Sequence, residues 1–301
     1  MIEVLEALWP LFILIVAGYF MQKNGFPGHE FWPGAERFNY FILFPALLFK
    51  SLASAPLNDP ALPRLLIAVL LALAVCGAGL LLARRVHAWP AARFGVMLQG
   101  TLRFNTYLGL AAIGSIFGKE GLLLAAVMLA LLVPIVNVMA VLALSAGRHT
   151  RLKALLLPIA KNPLILACLA GALVNQSGVE IKWGLDRLLG LLAASSLPLG
   201  LLCVGAALKP GVLHGEVGAL VTNSLTRLLL VPAVAFGCAV LVGLPAIERS
   251  ILVLFFALPT APTAYVLTRQ LGGDSHLMAG IITLQTLLSA ASLMLVLILM
   301  S

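Results

Sequence analysis

RFNTYLGL, Arg103–Leu110, sits inside an apolar run over residues 93–117, and LPTAPTAY, Leu258–Tyr265, sits inside another over residues 249–271. Each run is long enough for a helix to cross a bilayer core of about 30 Å, and each carries at mid-length what a continuous helix tolerates poorly. Asn105 and Thr106 compete with the helical ladder through their side chains, with Gly100 and Gly109 on either side. Pro259 and Pro262 each remove a backbone donor and forbid an unbroken ladder. The reading is two membrane helices interrupted near the midplane, each exposing a half-helix amino terminus whose partial positive charge suits an anion such as a carboxylate.

The rest of the chain agrees with a membrane setting. Of 301 residues 62% are hydrophobic and only 10% charged, against roughly 45–50% and 25% in soluble proteins, which excludes an ordinary water-soluble enzyme. Leu/Ala/Val runs argue for helices; the alternating segments of about ten residues that mark a membrane barrel are missing. The formal charge of +8 lies in short spacers, where it reads as an orientation signal and not as a nucleic-acid surface. Cys76, Cys168, Cys203 and Cys238 lie in apolar stretches without CxxC spacing, so they read as small buried hydrophobes and no metal site is expected. Glu3 and Glu6 stand where a cleavable leader would carry Lys or Arg, which makes the first apolar run a permanent helix.

Apolar runs delimit ten helices, at 7–22, 38–55, 64–84, 93–117, 121–146, 154–175, 184–208, 217–243, 249–271 and 276–300. Eleven Lys and Arg residues, Arg84, Arg85, Arg148, Arg151 and Lys153 among them, collect on one side of that arrangement and five on the other. The central stretch Gly147–Lys153 is therefore expected to be cytoplasmic, with both termini outside. The two halves are also related. Pro10, Gly18, Gly25 and Pro45 fall 153 positions before Pro163, Gly171, Gly178 and Pro198; Pro90 falls 155 before Pro245, and Thr106, Gly118 and Glu120 fall 154 before Thr260, Gly272 and Asp274. Units of five helices, an odd number, must face opposite ways, giving an all-α membrane protein with a 5+5 inverted repeat at 1–153 and 154–301 and a substrate site where the repeats meet.

Polar residues inside the runs are few. All eleven carboxylates and all five histidines lie in spacers or near helix ends, leaving no obvious buried proton or sodium carrier. Arg103 is ten residues into the fourth run, about 15 Å along a helix and near the centre of the core. It either contacts substrate or snorkels and pairs with carbonyls, just as Pro259 and Pro262 either open a site or merely kink a packed helix. Lys50 and Arg227 are read as snorkelling from helix ends. Asn137 and Gln285 either line the same cavity or hydrogen-bond between helices. GSIFGKEG, Gly114–Gly121, has one residue too few for a phosphate loop and Glu120 where Ser or Thr must hold magnesium; Gly114 and Gly118 read as a close-packing pair.

Four stretches taken in order, PLFILIVAGYFMQKNGF, FNYFILFPALLFKSLAS, RFNTYLGL with IFGKEGL, and LPTAPTAYVLTRQLGGD, resemble the auxin efflux carrier family of bacterial and plant permeases, itself related to the bile acid and sodium symporters. The resemblance spans essentially the whole chain. It implies a scaffold unit from 7–55 and 154–208, a mobile transport unit from 64–146 and 217–300, and fourth and ninth helices that cross at their broken centres. It places the crossover on Asn105, Thr106, Pro259, Thr260 and Pro262. Ala111 and Ala112 stand where many members carry a proline, which implies a milder break in the fourth helix.

Taken together these readings give a secondary transporter, not an enzyme, in a bacterial inner membrane, moving small carboxylates such as malate or malonate by alternating access. The candidate site comprises Arg103, Asn105, Thr106, Tyr107, Pro259, Thr260, Pro262, Thr263, Asn137 and Gln285. No cofactor, metal or nucleic acid is expected; partners are the carboxylate, membrane lipid, a coupling proton or sodium ion, and a second copy of the chain as a homodimer. The alternatives are a sodium-coupled symporter and a non-transporting receptor.

Overall fold

A computed structural model describes residues 2–28, 30–55, 61–145, 161–179 and 181–300. Among them the chain is helical throughout and forms no strand. Helices α1 (Ile2–Lys23), α2 (Phe31–Phe38) and α3 (Phe44–Ala53) come first, with a π-helical turn over Asn39–Leu43 joining α2 to α3. Then follow α4 (Leu62–Val86), α5 (Ala91–Leu102), α6 (Thr106–Leu144), α7 (Pro163–Ser177) and α8 (Leu185–Ala206). The chain continues through α9 (Val217–Leu225), a second π-helical turn over Thr226–Leu230, α10 (Val231–Val242), α11 (Ala246–Ala257), α12 (Thr263–Gln270) and α13 (Ser275–Met300).

Six helical stretches among the described residues are long and apolar enough to cross a membrane, so the protein is an integral membrane protein. One of them, Ala91–Leu144, has 54 residues, far more than the roughly 20 of one crossing. It is divided twice, at Arg103–Asn105 and at Gly118, whose φ of 61° and ψ of −149° suit only a residue without a Cβ. A Cβ there would meet nothing within 4 Å, whereas one at Gly114 would touch Leu122. The expected packing pair is thus one packing glycine and one turn glycine, and the turn falls at the expected boundary between the fourth and fifth runs.

Two further boundaries differ from expectation. The helix predicted from residue 38 begins at Phe31, because FWPGAERF is amphipathic: its Pro33, Glu36 and Arg37 conceal a helix that buries Trp32 and Ala35. The central stretch Gly147–Lys153 and the start of the sixth predicted helix, 154–160, lie outside the described residues.

Helix α1 packs on α8, and α3 on α7 and α8; α4, α5, α6, α10, α11 and α13 pack among themselves, and α1 and α3 reach α6 across the boundary between the two groups. Backbones approach closely at α1–α8 and α3–α7. A Cβ at Gly18 would overlap the Leu202 carbonyl, one at Gly171 the Phe49 carbonyl, and one at Gly205 the Ile15 carbonyl. Small residues let membrane helices approach until van der Waals contact replaces the hydrophobic driving force they lack in lipid. Gly205→Ala should therefore lower stability by about 1–3 kcal/mol, since a backbone oxygen cannot give way as a side chain can. Its thermal midpoint in detergent should fall, while Gly237→Ala, with nothing within 4 Å of the added Cβ, leaves the midpoint unchanged or slightly raised.

Candidate functional site

The two interruptions meet. Arg103 (φ −74°, ψ 137°) and Asn105 (φ −77°, ψ 98°) are extended between α5 and α6, and Leu258 (φ −65°, ψ 146°) ends α11 in the same way. The backbone N–H of Asn105 donates to the Pro259 carbonyl at 2.8 Å, so one break is tied directly to the other. Non-helical residues number three in the first break, 103–105, and five in the second, 258–262. A proline inside the LGL region is therefore not required to break the fourth span. The asparagine suffices: its Oδ1 accepts the N–H of Leu108 at 3.2 Å and caps α6.

Four helix ends thus lie together, the carboxyl ends of α5 and α11 and the amino ends of α6 and α12. The carbonyl ends are occupied. Gln285, from α13, uses its whole amide: Oε1 accepts the Thr260 N–H at 2.9 Å, and Nε2 donates to the Gly100 carbonyl and to Asn223 Oδ1, each at 2.9 Å. Asn223 Nδ2 in turn donates to the Met97 carbonyl and Thr101 Oγ1, both at 3.0 Å. The Thr260 hydroxyl faces Gly100 O at 2.8 Å and Gln285 Oε1 at 2.7 Å, so its proton is spent inside the network.

Arg227 is the residue the sequence reading misplaced. It is 1% exposed and does not snorkel. Nε donates to the Leu258 carbonyl at 2.5 Å, Nη1 to Thr101 at 2.7 Å and Nη2 to Phe255 at 3.3 Å. A usable signal was present: Arg227 lies ten residues into its apolar run, as Arg103 does, and the same depth count puts both near the centre. Gln99, Asn223 and Thr101 were missed too, since a single buried amide or hydroxyl has no distinctive spacing.

The amino ends are different. Asn105 Nδ2 is buried without a hydrogen-bond partner, an arrangement that costs about 1–3 kcal/mol unless something else accepts the proton. The amides of Thr106 and Tyr107, at the start of α6, have no intrahelical acceptor. Arg103, partly buried, donates from Nη1 to Gln99 Oε1 at 3.3 Å and from Nη2 to Thr263 Oγ1 at 3.1 Å, while Gln99 Nε2 donates to Thr268 Oγ1 at 2.8 Å. It carries no ion pair with a carboxylate among the described residues. Donors and positive charge converge here with no anionic counterpart.

The other expected residues divide. Pro262 precedes α12 as its cap, and Thr263 opens that helix. Thr106 lines an apolar crevice with Phe44, Leu48, Leu129, Leu164 and Cys168. Tyr107 packs edge-on against Phe44, ring centroids 5.0 Å apart, and fills the space above Gly200. Asn137 lies in α6 beyond Gly118, and no hydrogen bond joins it to the crossing. Lys50 pairs with Asp186 at 3.1 Å, partly exposed, away from this network.

Residues 148–297 match the family described as membrane transport protein. Over its length the chain is similar to an uncharacterized transporter of Methanothermobacter thermautotrophicus, 27% identical over 300 residues, or 96% of this chain and 95% of that protein. It is likewise similar to an uncharacterized transporter of Methanocaldococcus jannaschii, 23% identical over 289 residues, or 92% of each. With its apolar helices and their interrupted centres, the chain is a member of this membrane transport family, the auxin efflux carrier family.

Proposed function

We propose that the protein is a secondary transporter of small organic anions, carboxylates such as malate or malonate, working by alternating access at the crossing of the two interrupted spans in an inner membrane. The observation that carries this reading is the chemical inequality of the helix ends. Carbonyls that would attract a cation are already bonded to Arg227, Gln285 and Thr260. The unpartnered Asn105 Nδ2, the first amides of α6 and the guanidinium of Arg103 can only donate. A carboxylate accepts such hydrogen bonds and is favoured by the helix dipole as well. Thr263 and Thr106 would complete its shell, while Thr260 would shape the crossing from behind.

The five-plus-five inverted repeat belongs to this proposal, and several matched details support it. α5 and α11 each have 12 residues, begin after an extended proline (Pro90, ψ 159°; Pro245, ψ 164°) and end in an extended residue. Gly25 and Gly178 have φ of 72° and 67°, and Gly118 and Gly272 have φ of 61° and 71°. The close approach of Gly18 to Leu202 is repeated, 153 positions away on both partners, by Gly171 and Phe49. The grouping of α1 to α3 with α7 and α8, and of the remaining helices together, supports a scaffold and a moving unit. Both termini would lie outside the cell.

In proteoliposomes, labelled malonate or malate should accumulate with the wild-type protein. Arg103→Ala and Asn105→Ala should abolish uptake while leaving the yield of monodisperse protein intact; unchanged uptake by either variant would remove that residue from the site. Replacing sodium with choline should leave the rate unaltered, because no described membrane-embedded carboxylate lies at the crossing to hold sodium; a collapse of uptake would favour the sodium-coupled alternative. Saturable binding with no flux under any gradient would instead indicate a receptor.

A further inference from the structure

Arg227 stands in the π-helical turn Thr226–Leu230, between α9 and α10, outside both interrupted spans, yet its three donors end on carbonyls of both: Thr101 at the end of α5, and Phe255 and Leu258 at the end of α11. No ion pair joins it to a carboxylate among the described residues. A cation kept at this depth without a counter-ion requires another source of negative potential. Two helix carboxyl ends supply it, each equivalent to about −0.5 of an elementary charge, so together they match one guanidinium.

We infer that Arg227 is the positioning residue of the crossing: it ties the two carbonyl ends into one body and cancels their dipoles, which leaves the field at the amino ends of α6 and α12 positive. Three consequences follow from its chemistry. The two breaks keep their mutual register only while all three carbonyls are held. Lysine can replace the charge but not the planar fork that reaches two chains at once. Loss of the charge exposes an approaching anion to both carbonyl ends, and the penalty grows with the anion's charge. For unit charges about 10 Å apart at an effective dielectric of about 20, the difference between a dianion and a monoanion is on the order of tenfold in affinity.

The charge half of this inference rests on the anion reading of the crossing; the tying half does not, and the test separates them. The full-length protein, reconstituted in lipid nanodiscs, is compared as wild type, Arg227→Lys and Arg227→Gln by hydrogen exchange and by titration with malonate and acetate. The reporters are the amides of Asn105 and Thr260, bonded to the Pro259 carbonyl and to Gln285, with α1 and α8 as the reference. Arg227→Gln should accelerate both reporters at least tenfold and leave the reference unchanged, with Arg227→Lys in between. Acceleration of one reporter only, of neither, or of the reference to the same degree would overturn the tying role. Malonate should weaken about tenfold more than acetate in Arg227→Gln, and Arg227→Lys should keep most of the wild-type ratio; equal weakening of both overturns the charge role. If the wild type binds neither probe, the anion reading and the charge role fall while the two amides still decide the tie. Should Arg227→Gln give no folded protein, Arg227→Lys carries the same comparison.

Discussion

A backbone carbonyl or amide left unpaired in hydrocarbon costs several kcal/mol, and two spans that stop halfway leave four helix ends to be provided for. The whole centre of this protein is organised around that constraint. Side chains from three other segments reach in: Arg227 from a π-helical turn, Asn223 from the short helix before it, and Gln285 from the last helix. All serve carbonyls or the side chains that brace them. On the amide side one asparagine caps a helix with its oxygen and keeps its nitrogen unused. The provision is unequal, and that inequality gives the site its sign.

The surrounding helices hold this polar centre without supplying chemistry to it. Gly18, Gly171 and Gly205 set the distances between α1 and α8 and between α3 and α7, and within that group Asn39 and Ser196 exchange hydrogen bonds, Asn39 Nδ2 donating to the Ser196 carbonyl at 3.0 Å and the Ser196 hydroxyl to Asn39 Oδ1 at 2.8 Å. A reciprocal pair satisfies all but one of the donors involved and fixes register between two otherwise apolar helices. In lipid, where burial gives no net drive for association, close backbone approach and such pairs are what define which helices belong together.

The sequence disclosed the breaks because their causes are local: an asparagine and a threonine at mid-run, and two prolines four positions apart. It disclosed the candidate donors Arg103 and Asn105 for the same reason. What it concealed was everything decided by a third segment. Arg227 was read from its nearness to a helix start, although the negative potential that holds it comes from residues 126 and 31 positions away. The helix at Phe31 was hidden by its charged outer face, and Gly118 by the assumption that a spaced glycine pair serves packing. Gln285 was flagged as polar, but that its amide is fully engaged, and Asn137 uninvolved, depends on which face of each helix turns inward.

One contact bears on how such a molecule could move. The Tyr107 ring fills a notch over Gly200 and beside Asn39, so the helix that begins at the crossing is keyed into the helix group it borders. A planar ring in a fitted recess behaves as a detent: small displacements are opposed, and a large one must lift the ring clear before the next resting place is reached. In the proposed mechanism, inward-facing and outward-facing forms would then be discrete stations separated by a barrier, with that barrier set by one aromatic side chain and by the absence of a methyl group opposite it.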